Sequence, residues 1–64
     1  MYIVPKHNIF VPNNRKPLFT KGEKYLVEDY YTEGEYAALV TTDDHGARNF
    51  ISIDGDLISN FLFG

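Results

Sequence analysis

His45 follows Asp43 and Asp44, and a histidine beside carboxylates is a combination that serves a general base or a metal ligand. Three turn residues in a row cannot all converge on one ion without strain. Asp-Asp-His-Gly is also ordinary hairpin-turn chemistry, and the turn reading is preferred here. His7 has no carboxylate near it along the chain and is read as a surface or packed side chain. Asp54-Gly55-Asp56 offers two carboxylates of the calcium-loop type but lacks the further oxygen donors and the closing Glu. Asp54 is read instead as the cap of a helix. Ser52 and Ser59 stand beside no base pattern, and neither a nucleophile elbow nor a Gly-rich phosphate loop is present. The sequence therefore reads as non-enzymatic, with no catalytic residue, no metal ligand and no cofactor.

What folding explains least is the run Asp29-Tyr30-Tyr31-Thr32-Glu33-Gly34-Glu35-Tyr36. Strand alternation lets only some of its tyrosines point into a core. The others lie partly exposed among acids, where a large rigid ring with a polar tip favours contact with another protein. Tyr30, Tyr31, Glu33, Glu35 and Tyr36 are thus the candidate partner-binding residues. The plainer account is that these rings cover the rim of a small core.

The elements that must position this run belong to one domain, spanning residues 1–64. A chain of this length buries only about 60% of the surface that its unfolded form exposes. It has no Cys and hence no disulfide framework. Five Tyr and five Phe supply the apolar mass instead. The formal charge is −3, which counts against a phosphate-gripping surface. No run approaches the roughly 20 apolar residues of a membrane span. The opening MYIVPKHN has neither the leading charge nor the apolar core of a signal peptide. A cytoplasmic protein with no membrane contact is the expectation.

Along the chain, Met1–Val4 is a β-prone run stopped by Pro5, and Ile9–Val11 is a second, stopped by Pro12. The segment from Pro12 to Pro17 is a loop, and Thr20-Lys21-Gly22 is a turn. Residues 23–31 alternate so that Tyr25 and Val27 share a core-facing side. Tyr36–Thr42 is the strongest strand. Asp43–Gly46 is its hairpin turn, with Gly46 left-handed, and residues 47–53 return. In the tail, Leu57, Ile58, Phe61 and Leu62 fall at helical spacing behind Asp54.

From Phe19 to Ser52 these features resemble the SH3-like barrel pattern. The chain carries an aromatic three residues before Gly22-Glu23, alternating Tyr25 and Val27, the loop Glu33-Gly34-Glu35 before Tyr36, and a last strand Gly46-Ala47-Arg48-Asn49-Phe50-Ile51-Ser52. The resemblance implies a mainly all-β fold, a small five-stranded SH3-like barrel closed by a short C-terminal helix. Members of the eukaryotic peptide-binding branch line a Pro-rich-ligand groove with Trp, Pro and paired Tyr. Here Tyr36 stands at the Trp position and Ser52 at the Pro position, so that groove is not expected. In size and layout the chain is more similar to very short SH3-like proteins of bacteria and their phages. That likeness implies a small non-catalytic module, phage- or prophage-encoded, that binds and modulates or inhibits a host protein in the bacterial cytoplasm. The alternative is a single-stranded nucleic-acid-binding barrel, with Phe10, Arg15, Lys16, Phe19, Lys21 and Lys24 as its strip; net acidity disfavours it. A homodimer through an open strand edge or the tail Asn60-Phe61-Leu62-Phe63 is the further association that the sequence allows.

Overall fold

The strand Tyr36–Thr42 takes its place because its pattern suits burial on both faces: Ala38, Leu39, Val40 and Thr41 are all buried. In the computed structural model, which describes all 64 residues from Met1 to Gly64, this is β4. It follows β1 (Tyr2–Pro5), β2 (Tyr25–Leu26) and β3 (Asp29–Glu33). It is succeeded by β5 (Arg48–Ser52), a 3-10 turn (Leu57–Asn60) and β6 (Phe61–Phe63). The strands form two three-stranded antiparallel sheets, ordered β2-β1-β6 and β3-β4-β5. No helix is long and apolar enough to cross a membrane.

The two sheets meet where the chain bends between β2 and β3. Val27 N–H donates to the Met1 carbonyl in the first sheet, and Glu28 N–H donates to the Val40 carbonyl in the second, at 2.9 and 2.8 Å. Val40 is in register with Asp29 yet also accepts from Glu28, the two-against-one mark of a β-bulge. The single strand expected over residues 23–31 is therefore one ribbon turned through a corner. Thr41 Oγ1 ties the corner by donating to the Leu26 carbonyl at 2.8 Å.

The core lies between the sheets. Ile3, Phe19, Tyr25, Leu39, Ile51 and Phe61 form it, with Ile9, Leu18, Val27 and Ile58 packed around them. Phe19 is fully buried and belongs to no strand. Its ring meets Tyr25 and Phe61 edge-on, with centroids 4.9 and 5.3 Å away, an arrangement favoured by the ring quadrupoles. An isolated bridge between Ile9 and Phe19 is all that forms of the strand expected at Ile9–Val11.

The all-β class holds, but three details of the expected architecture do not. There are six strands, not five. They make two sheets that do not close into a barrel. The C-terminal helix is a single 3-10 turn, and its cap position is Asp56, not Asp54, with no side-chain cap bond. One turn without a cap cannot outweigh the cost of nucleating a helix. The unpaired edge of β1 takes the tail as β6 instead, with Phe61 in register with Pro5. Phe61 then points into the core while Leu62 lies exposed.

Candidate functional site

Side chains of directly opposed residues in an antiparallel pair share a face, so register decides which groups meet. In the second sheet, Leu39 and Ile51 point to the core. The other face carries Asp29, Tyr31 and Glu33 from β3, Tyr36, Ala38, Val40 and Thr42 from β4, and Arg48, Phe50 and Ser52 from β5. Each strand thus contributes one ring to the outer face. Tyr31 stands centrally, edge-on to Tyr36 at 6.0 Å and to Phe50 at 5.5 Å with an interplanar angle of 90°. Ala38 and Val40, between them, are buried, although they lie outside the main core. The rings remain open to solvent: Tyr31 is 38% exposed, Tyr36 44% and Phe50 53%.

A tight hairpin fixes the relation of Tyr31 to Tyr36. Glu33 pairs with Tyr36, leaving Gly34 and Glu35 as the loop. Gly34 takes φ 59° at the first loop position, as a type II′ turn requires and as its lack of a Cβ permits. Tyr31 Oη donates to Glu33 Oε2, two residues on along the same face. The carboxylate acceptor, followed by desolvation and the neighbouring Tyr36, pushes the Tyr31 phenol above its ordinary value of 10.0. The phenol therefore stays a protonated donor at neutral pH.

The charged rim is acidic. Glu28, Asp29, Glu33 and Glu35 surround the rings, with Arg48 as the cation on this face. Arg48 Nε lies 3.7 Å from Glu28 Oε1, and Thr42 Oγ1 donates to Glu28 Oε2 at 2.5 Å, so Glu28 is already engaged. Asp29 and Glu33 have no cationic partner.

Of the five residues expected to form the site, Tyr31, Glu33 and Tyr36 share this face. Glu35 sits in the adjoining turn. Tyr30 opposes Leu39 on the other face and is exposed beyond the margin of the core. Phe50 joins the site as well, although in sequence it reads only as the centre of a strand. Counting by alternation from the buried Ile51 would have turned it outward.

The residues that suggested chemistry are held by the fold. Asp43 accepts from His45 N–H at 2.8 Å, Ala47 N–H at 3.0 Å and Asn49 Nδ2 at 2.6 Å. Desolvation works against its charge, but these donors outweigh it and hold the carboxyl below the ordinary 3.8. Asp44 accepts from Tyr25 Oη at 2.6 Å and from Thr20 Oγ1. His45 Nε2 is 3.2 Å from the Pro17 carbonyl. These groups pin the turn to the Pro17–Thr20 segment. Phe19, in the basic strip considered for nucleic acid, is in the core and offers no stacking face. No family model, curated protein or solved structure matches the chain.

Proposed function

We propose that this protein is a small, non-catalytic interaction module of the SH3-like kind, phage- or prophage-encoded, that binds and modulates a host protein in the bacterial cytoplasm. The observation that carries this reading is the outer face of β3-β4-β5: three partly exposed rings, one per strand, cross-stacked around Tyr31 inside an acidic rim. Rings held against one another lose little freedom on binding, and tyrosine is enriched among the residues that dominate interface energies. The rim calls for a partner with basic groups, whose encounter rate falls as salt is added. Two three-stranded sheets that meet at the bend between β2 and β3, with one 3-10 turn before the last strand, support the reading as a small all-β module.

Affinity capture from host lysate, repeated with Tyr31→Ala, Tyr36→Ala and Phe50→Ala, tests the face. Each variant is expected to reduce capture of the same partner by tenfold or more, about 1.4 kcal/mol or greater. Undiminished capture by all three folded variants removes this face from the function.

A further inference from the structure

The edge of the aromatic sheet has a polarity of its own. β3 pairs only with β4, and all five of its residues are exposed. In a two-residue hairpin the residues flanking the loop exchange backbone hydrogen bonds, so Glu33, and by alternation Tyr31 and Asp29, turn their amides toward β4. Ile53 N–H donates to the Ala37 carbonyl, which agrees: the alternate residues of β4 serve β5. Tyr30 and Thr32 therefore direct N–H and C=O outward from the free edge. The Tyr30 amide is covered by its neighbour, Asp29 Oδ1 accepting from it at 2.8 Å. The backbone groups of Thr32 have no such cover.

We propose that the edge of β3 receives an extended segment of a basic protein partner as an added antiparallel strand, patterned cation–x–apolar–x–cation. This rests on the interaction-module reading above and gives it a mode. In the register that satisfies Tyr30 and Thr32, the first and fifth residues of the incoming strand oppose Glu33 and Asp29, and the third opposes Tyr31. The side chains at these three positions lie on the aromatic face. Cations there meet the two carboxylates that lack a cationic partner, and the apolar residue extends the ring cluster. A cation near Asp29 also draws its carboxylate away from the Tyr30 amide and so opens the last edge donor. A second copy of this chain is the wrong occupant, because the same register sets Asp29 of each copy against Glu33 of the other, and opposed like charges destabilise a pair.

The test uses the full chain, end-blocked synthetic peptides, low ionic strength and amide NMR. The peptide lysine–threonine–valine–threonine–lysine is compared with its isomer threonine–lysine–valine–lysine–threonine, which moves both cations to the opposite face. A third peptide keeps the first order but is N-methylated on both threonines, removing the donors that would pair with Tyr30 and Thr32. The first peptide is expected to bind on the order of tenfold tighter than its isomer and to slow exchange of the Thr32 amide severalfold. The methylated form is expected to lose binding. Equal binding of methylated and unmethylated peptides, with shifts confined to Tyr31, Tyr36 and Phe50, overturns strand addition and leaves the aromatic-face reading intact. Protection at the Phe50 amide on the β5 edge instead of at Thr32 overturns it as well. Failure of all three peptides to bind also overturns it, and the alanine variants above then judge the face independently.

Discussion

Asp43 shows how one carboxylate can organise a turn and leave a signature in pH. Its three donors come from the turn and from the strand that follows it, so Asp43→Ala strands them together. A loss of about 1–3 kcal/mol in urea unfolding at neutral pH is expected. Folding lowers the carboxyl below 3.8, so the folded chain binds the proton more weakly than the unfolded one does. The resulting stabilisation is fully present above the unfolded value and disappears as pH falls through the folded one. Asp43→Asn should accordingly show a flatter acid limb than the parent, measured by unfolding between about pH 5 and pH 2. Tyr25 has the opposite sense. Burial, then the hydrogen bond to Asp44, raises its phenol above 10.0, so its contribution is present below that value and lost as pH rises through the folded one. Tyr25→Phe, which also leaves the Thr20 amide without its 2.7 Å acceptor, should lower stability by about 1–3 kcal/mol and remove that alkaline dependence. From sequence, the Asp-Asp-His grouping was legible as a turn. Its reach to Thr20, Tyr25 and Pro17 was not, because those partners lie 19 to 28 residues away.

At the scale of elements, local turn chemistry was readable and long-range pairing was not. Gly34 marks a hairpin because a type II′ turn needs positive φ where side chains are strained. Gly34→Val should destabilise the β3–β4 hairpin by about 1–2 kcal/mol. Amide exchange should speed up most in β3, with the first sheet less affected. The strand at Tyr36–Thr42 and its return were evident from β-branched residues and alternation, whereas the corner at Glu28 was not. A bulge is created by the partner strand it faces, and the pattern from Glu23 to Tyr31 gives no sign of one. The tail failed for a related reason. Leu57, Ile58, Phe61 and Leu62 fit a helix, but Phe61 and Leu62 fit a strand equally well, and the free edge of β1 decides between them. The outer face was legible in part: alternation within residues 29–36 left tyrosines exposed without telling Tyr30 from Tyr31 and Tyr36, and Phe50 required register.

Across the whole molecule, the core and the proposed recognition face lie on different sides of the same sheet. A 64-residue domain has roughly 3–10 kcal/mol to lose. Phe19→Ala removes the ring that joins Tyr25 to Phe61 at the centre of the core. Such a deletion costs about 3–5 kcal/mol, a large share of that total. Tyr31 and Phe50 stack on each other across the outer face, and exposed edge-on pairs of this kind contribute about 0.5–1.5 kcal/mol. Phe50→Ala should therefore unfold with a small shift and unchanged steepness in urea, while Phe19→Ala unfolds at a far lower urea concentration. The contrast gives the binding experiments their meaning. Any partner engaged only by the outer rings is lost in Phe50→Ala while the fold persists, and loss in Phe19→Ala reports unfolding alone. Large destabilisation by Phe50→Ala, comparable to that of Phe19→Ala, would make the outer rings a second core, and the division of labour between the two faces would fall.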